Sequence, residues 1–276
     1  DDDAYDWDEA EDDGIAPPQV VRDIKTPTAQ EMEEHNCTHI PSQPWCPACV
    51  AGKKPNSPHK RQTEGEHLVP EMGFDYAFLR ESDSDETLTV LVMKDRDSKT
   101  IFADVVEMKG RGLEGAVDNV VRNIARLGYK KVILCSDQEP AILALMEAII
   151  EARKEPTILQ NSPVGESQAN GLVERAVRSV KDQVRTLRLA LQKRVGCRIP
   201  VGHTIMTWIV KHAGELISKY QLNRDGQTAY FKVFGKPCKD TIVEIGEEVH
   251  YRVSEVDTGS LDSRWESGIW LGIRWR

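Results

Sequence analysis

The chain has 276 residues, of which 39% are hydrophobic and 29% charged, an ordinary balance for a soluble globular protein. This length predicts one medium core with smaller satellites, and the apolar runs are too short for a membrane span or a signal peptide. The net charge of −9 is concentrated in residues 1–13, which hold nine acids and no Lys or Arg. The remainder is neutral, so an anionic partner must be met by local basic patches.

Six cysteines are scattered along the chain apart from one Cys-x-x-Cys pair, so the disulfide framework of a secreted protein is not apparent. This usage favours an intracellular, reducing compartment. The chain lacks an initiator Met and stops at Trp275-Arg276, within what is predicted to be a strand. We therefore expect a fragment of a longer protein.

The first 66 residues divide into three segments of different composition. Residues 1–30 are acidic and then Pro-containing, and we expect a disordered lead there. Residues 31–50 concentrate His and Cys, and residues 51–66 have the Lys, Arg, Pro, Gly and Ser composition of a linker.

A globular pattern begins at residue 67 and continues to about residue 235. It predicts three strands, then helix–strand–helix–strand, then two long helices, at 69–79, 87–94, 100–107, 113–127, 131–136, 141–153, 157–160, 172–192 and 202–221. This order predicts an α/β fold with a mixed sheet and helices on both faces. Residues 236–276 change character, and strands around 248–253 and 269–274 predict a small β-module.

Three acidic residues fall where such a sheet presents a site. Asp75 lies among apolar residues inside the first strand, where a carboxylate is costly to bury unless it is paired or binds a metal. Asp137 ends the fourth strand, at the edge where α/β sheets hold ligands. Glu174 begins the next predicted long helix, where the helix dipole tolerates negative charge.

Taken singly, Asp137 could cap the following helix and Glu174 could be an ordinary first-turn acid. Taken together, the three carboxylates offer the oxygen ligands that suit Mg²⁺ or Mn²⁺. Two such ions would serve an in-line phosphoryl displacement.

The order Asp, Asp, Glu on this layout resembles the DDE motif of retroviral and retrotransposon integrases, which have a ribonuclease H-like fold. Between Asp137 and Glu174 lie 36 residues, one more than the usual family spacing. The sequences SDQEPA and SQANGLVERAVRSVKDQVRTLR are similar to the two motifs that carry these acids in the family. The resemblance covers about residues 31–274, and among integrases the sequence is most similar to the copia type. It implies a zinc segment over 31–50, a catalytic core over 67–235 and an SH3-like β-module over 236–276.

The long helix after the sheet carries a row of cations beside its apolar stripe. At about 100° per residue, four of them lie within about 40° of Glu174: Arg178, Lys181, Arg185 and Arg188. A solvated basic face is the alternative, but the acid at its head favours tracking of DNA phosphates. The resemblance implies that Arg178 and Lys181 contact the end of the element DNA. Gln168 and Asn170, in the preceding predicted loop, could touch bases or sugars, or be plain loop residues.

His35 and His39, followed by Cys46 and Cys49, offer the imidazole and thiolate ligands of a tetrahedral Zn²⁺ site. Their order resembles the HHCC module of integrases, but only six residues separate His39 from Cys46, far fewer than in the family. The site could be a shortened finger, a looser site that uses Cys37, or a remnant that no longer binds. A free Cys pair beside surface histidines is the alternative without a metal.

The resemblance implies a polynucleotidyl transferase in which Asp75, Asp137 and Glu174 hold Mg²⁺ or Mn²⁺. Its reactions would be 3′-end processing of element DNA and strand transfer into target DNA. The implied partners are DNA, further copies of the chain and other products of the same polyprotein, with no membrane. The implied location is an intracellular particle in the cytoplasm and then the nucleus. Two alternatives remain, an inactive or domesticated nucleic-acid-binding protein and a ribonuclease H-type nuclease, which would need Glu139 as a fourth acid.

Overall fold

The computed structural model describes residues 26–52, 69–107, 114–161, 167–253, 261 and 263–273. The expected disordered lead lies outside these residues as far as residue 25, and so does most of the predicted linker, from residue 53 onward. Within the described part of the lead, a helix already begins at Ala29.

Five strands form the central sheet, and their order is β3-β2-β1-β4-β5. Their bounds are β1 Glu71–Arg80, β2 Thr87–Asp95, β3 Ile101–Val106, β4 Val132–Ser136 and β5 Thr157–Asn161. The first three strands pair antiparallel, whereas β4 and β5 run parallel to β1. This confirms the predicted mixed α/β sheet with a ribonuclease H-like strand order.

The described part of the chain contains seven helices, and four of them, α3 to α6, pack against the two faces of this sheet. Their bounds are α1 Ala29–Thr38, α2 Pro47–Gly52, α3 Glu114–Arg126, α4 Pro140–Ala152, α5 Ser167–Val195, α6 Ile205–Tyr220 and α7 Ala229–Phe234. A capping box between Thr28 and Glu31 starts α1, and Pro140 supplies a preset φ at the start of α4. Among the described residues, none of the helices is long and apolar enough to cross a membrane.

Two apolar cores lie on opposite faces of the sheet, because alternate strand residues point to opposite sides. On one face Phe74 and Tyr76 pack with α3 and α4. On the other face Ala77 and Val90 pack with α5 and α6. The predicted arrangement of helices on both faces is therefore confirmed.

Two predicted elements have different bounds in the structure. Helix α5 begins at Ser167, so the predicted start at residue 172 was wrong. Gly171 and its polar neighbours indicated a loop, yet a helix interior tolerates one glycine at a cost of about 1 kcal/mol. The last strand lies at Trp265–Ile269, earlier than the predicted 269–274, because this segment pairs antiparallel with β6, Glu248–Arg252.

Candidate active site and metal centre

Asp75 and Asp137 meet at one edge of the sheet because β1 and β4 are parallel neighbours. Gly73 lies opposite Cys135 in the register of these strands, and each acid follows two residues later. Phe74 and Tyr76 both face the core beneath α3 and α4. The intervening Asp75 therefore faces α5.

Helix α5 brings Glu174 to this edge through a close approach at Gly73. A Cβ atom added to Gly73 would lie 3.3 Å from Cβ of Val173, the residue before Glu174. The absence of a side chain at Gly73 thus lets the helix sit directly on β1. Sequence reasoning missed this glycine, although its place two residues before a strand carboxylate was a usable signal.

The electrostatics of Asp75 reflect the charges of the other acids near this edge of the sheet. Burial, and then the negative charge of Asp137, raise the pKa of Asp75 from 3.8 to about 6. The charges of Glu174 and Glu139 contribute to this rise, and a hydrogen bond from the backbone N–H of Tyr76 opposes it, so that about 6 is the net value. Like charges gathered in this way disfavour one another's ionised form unless a cation lies between them.

The structure changes the local description of two of these acids. Asp137 is not the N-cap of α4, because that position belongs to Glu139; instead its Oδ1 accepts a hydrogen bond from the backbone N–H of Glu139 at 3.1 Å. Glu174 is not a first-turn acid, since α5 begins at Ser167, two turns earlier. The helix dipole therefore does not explain Glu174, and ligation of a divalent ion by the three carboxylates stays a prediction.

The predicted basic row on α5 divides into two pairs. Arg178 is exposed and Lys181 half-buried, and the structure records no ion pair for either within the described part of the chain. Arg185 donates to the carbonyl of Gly52 at 2.6 Å and pairs with Asp182. Arg188 pairs with Glu81 and donates to the carbonyl of Ile199 at 2.7 Å. Arg178 and Lys181 lie nearer Glu174, whereas Arg185 and Arg188 make contacts within the protein.

Gln168 and Asn170 lie in the first turn of α5 rather than in a loop. Their side chains are outside the described part of the structure. A role for them in DNA contact stays a prediction.

The four predicted zinc ligands come together in one buried cluster. Their ligand atoms all lie within 4.8 Å of one another. The Sγ atom of Cys46 is 3.4 Å from Nδ1 of His39, and the Sγ atom of Cys49 is 3.4 Å from Nε2 of His35. A tetrahedral Zn²⁺, with bonds of about 2.0 Å to nitrogen and about 2.3 Å to sulfur, separates such atoms by about 3.5 Å. The cluster fits zinc without Cys37.

The short spacing between the His and Cys pairs is accommodated by the turn after α1 and by a short helix. His39 lies just beyond α1 in the left-handed conformation, with φ of 53°, and its backbone N–H donates to the carbonyl of His35. His35 therefore lies within α1, whereas His39 lies just after its last residue. Cys49 lies in α2, which directly follows Cys46. Six intervening residues suffice to close the site.

The His/Cys cluster is docked on α5, the helix that carries Glu174. Gln183 donates from its side-chain amide to the carbonyl of Thr38 at 2.6 Å, in a buried contact. Gly52, at the end of α2, lies so close to Thr186 that an added Cβ would overlap its side chain. The candidate zinc cluster and the candidate active site thus both adjoin α5. Sequence reasoning did not anticipate this contact.

No family model and no curated protein matches the chain. Solved structures give weak likenesses. A chain from the simian T-cell lymphotropic virus intasome in complex with PP2A regulatory subunit B56 gamma has 18% identity and a TM-score of 0.48, and the match covers 81% of this chain and 76% of that one. The HTLV-2 integrase catalytic core domain in complex with magnesium has 14% identity and a TM-score of 0.43, covering 61% and 99%. The BIV integrase catalytic core domain has 17% identity and a TM-score of 0.42, covering 60% and 93%. Likenesses of this strength carry no information on function.

Proposed function

We propose that the protein is a retrotransposon integrase of the copia type, which processes the 3′ ends of element DNA and joins them to target DNA. One observation carries the proposal. Carboxylates from β1, from the end of β4 and from α5 converge closely enough for Asp137 and Glu174 both to raise the pKa of Asp75. Carboxylates are the oxygen ligands that Mg²⁺ and Mn²⁺ prefer.

Asp75, Asp137 and Glu174 hold Mg²⁺ or Mn²⁺ in this proposal. When bound, the ions would activate the attacking oxygen and stabilise the leaving oxygen of a phosphodiester. The protein contributes position and charge. Arg178 and Lys181 lie one and two turns beyond Glu174 on the same flank of α5 and contact DNA phosphates there. Arg185 and Arg188 extend the same row, and their intramolecular contacts keep the helix in place.

The His/Cys cluster has a structural role in this proposal. Zn²⁺ held by His35, His39, Cys46 and Cys49 would fix α1 and α2 to each other, and Gln183 ties that unit to α5. Zinc in a closed site of four protein ligands contributes to folding rather than to chemistry. It therefore stabilises the helix that positions Glu174.

The family resemblance in the sequence extends the proposal to partners and location. The DNA partners are element ends and target, the chain acts as a homo-multimer with other products of its polyprotein, and no membrane is involved. The setting is a cytoplasmic particle and then the nucleus. A domesticated or inactive nucleic-acid-binding protein would retain the same surface and lose only the reaction.

A ribonuclease H-type nuclease is the second candidate, and one observation favours it. Glu139 lies close enough to contribute to the raised pKa of Asp75, and its backbone N–H contacts Asp137. A fourth acid at this place is what a nuclease of that type would use. The two candidates differ in substrate, because the nuclease cleaves the RNA strand of a hybrid and joins no ends.

The test is strand transfer on short duplexes with Mg²⁺ or Mn²⁺, comparing the wild type with Glu174→Gln and Glu139→Gln. Glu147→Gln, an exposed acid on α4, is the matched control. The proposal expects joined products from the wild type and the control, and none from Glu174→Gln. Cleavage of an RNA–DNA hybrid without joining, lost in Glu139→Gln, would replace integrase with nuclease. DNA binding without any product in either metal would favour the inactive protein.

A further inference from the structure

A second charged site lies on the other flank of α5. A cavity of about 700 Å³ opens between α5, the end of α6, the start of α7 and the ends of β2 and β3. The charged residues that line it among those described are Lys94, Lys99, Arg175, Arg224, Lys232 and Asp225. Five cations thus face one acid in a protein whose net charge is −9.

The cavity is separate from the carboxylate site. Arg175 and Ser179, which line it, project about 100° and 140° around α5 from Glu174. The apolar stripe of the helix lies between these two flanks on the sheet side, at residues such as Val180 and Val184. Asp75, Asp137 and Glu174 are not among the residues that line the cavity.

The cations of the cavity line one shared space, in which Lys94 is shielded from solvent and Arg175 and Arg224 are exposed. Lys94 pairs with Gly73 across the sheet and so points toward α5. Burial, and then the positive charge of Lys99, lower the pKa of Lys94 to about 7, and Asp95 opposes this. Asp225 is the acid among the described residues that line the cavity, and it forms an ion pair with Lys232 at 2.6 Å. An arrangement that disfavours its own charge in this way is stabilised by a bound anion.

We propose that this cavity binds the phosphate groups of a ligand with several negative charges. Its volume lies within the range of about 300–1,000 Å³ usual for ligand sites. Arginine forks such as those of Arg175 and Arg224 suit phosphate oxygens, and lysines add point charges. The shared chemistry fits either successive phosphates of a nucleic acid or a free polyphosphate. This binding is additional to the proposed strand transfer and needs no metal.

The probe is inorganic tripolyphosphate, titrated into the full chain by calorimetry in metal-chelated buffer with zinc resupplied to the His/Cys site. Three variants make the test specific. Arg224→Gln removes an exposed cation of the cavity. Asp225→Asn removes its acid while keeping the Oδ1 acceptor for the backbone N–H of Gln227. Lys130→Gln removes an exposed cation elsewhere and is the matched control.

Saturable binding is expected, weakened about fivefold by Arg224→Gln and tightened by a similar factor in Asp225→Asn, with the control unchanged. A fluorescent duplex, titrated into a chain that also carries Arg178→Gln and Lys181→Gln, identifies the source. If Arg224→Gln weakens duplex binding and Asp225→Asn tightens it, the bound phosphates belong to nucleic acid. If Arg224→Gln leaves duplex affinity unchanged, the ligand is a free polyphosphate. Absence of saturable tripolyphosphate binding, or equal affinity in all three variants, would overturn the site. If the protein shows no strand transfer, the outcome of the tripolyphosphate titration still decides whether this cavity binds phosphate.

Discussion

Replacing Asp75 with Asn should make the metal-free protein more stable. The pKa of Asp75 is about 6 in the folded chain, against 3.8 for the free group. The ionised carboxylate is therefore less stable in the folded chain than in the unfolded chain. This difference corresponds to about 3 kcal/mol at neutral pH. Because Asp75 is only partly buried, solvent screening reduces the expected gain to roughly 1.5 kcal/mol. Asn keeps an oxygen acceptor for the backbone N–H of Tyr76.

The sign of the effect depends on pH in a defined way. Above pH 6 the wild type carries the full cost of the ionised Asp75, and this cost vanishes as the pH falls toward 3.8 and the folded carboxyl takes up its proton. The advantage of Asp75→Asn should therefore be largest near neutral pH and shrink below pH 6. Added Mg²⁺ should also reduce the stability advantage of Asp75→Asn, because the ion stabilises the wild type, which retains the Asp75 ligand.

The assay is urea unfolding of the wild type, Asp75→Asn and the control Asp118→Asn, an exposed acid of α3. Metal-free buffer with zinc resupplied keeps the His/Cys cluster intact. An Asp75→Asn variant that is no more stable than the wild type at neutral pH would refute the clustering of the three acids. So would an equal gain from Asp118→Asn.

Three further perturbations probe other parts of the structure. Burial lowers the pKa of His212 from 6.5 to about 4, so the unfolded chain takes up this proton first and His212 by itself should cost the folded state about 2 kcal/mol between about pH 7.5 and about pH 5. In urea unfolding at the two pH values, the change in stability of the wild type should be less favourable than that of His212→Leu by this amount, and equal changes would contradict it. Cys49→Ser should lower the zinc content per chain and the melting temperature, whereas Cys197→Ser, at an exposed thiol, should alter neither; full zinc retention in Cys49→Ser would contradict the site. Gly52→Ala should destabilise by about 2 kcal/mol, because its methyl group overlaps α5. Gly115→Ala, with nothing within 4 Å, should stabilise by roughly 0.5–1 kcal/mol, and equal effects would refute the packing argument.

The sheet could be predicted from sequence because its strands carry local signals. Apolar runs with turn residues between them gave all five strands to within a few residues. Helix α5 was harder, since Gly171 and its polar neighbours favour a loop locally and only packing against the sheet makes them helical. Helices α2 and α7 have six residues each, too few for a periodic pattern to be recognised.

The candidate site divides in the same way between local and distant causes. The three acids and the His/Cys ligands could be picked out because few residue types bind metals. Their surroundings could not, because those depend on contacts between distant segments. Gln183 and Thr38 are 145 residues apart in the chain, and Lys94, Arg175 and Arg224 line one cavity only when β2, α5 and the loop before α7 are packed together.

The most direct test of the carboxylate site is a crystal structure of the protein soaked with Mn²⁺, with anomalous scattering used to locate the ion. The arrangement of Asp75, Asp137 and Glu174 predicts a manganese peak in contact with oxygens of all three side chains. In Glu174→Gln this peak should be absent or should lie away from residue 174. A manganese peak elsewhere, with none between these carboxylates, would contradict the site and the proposed reaction with it.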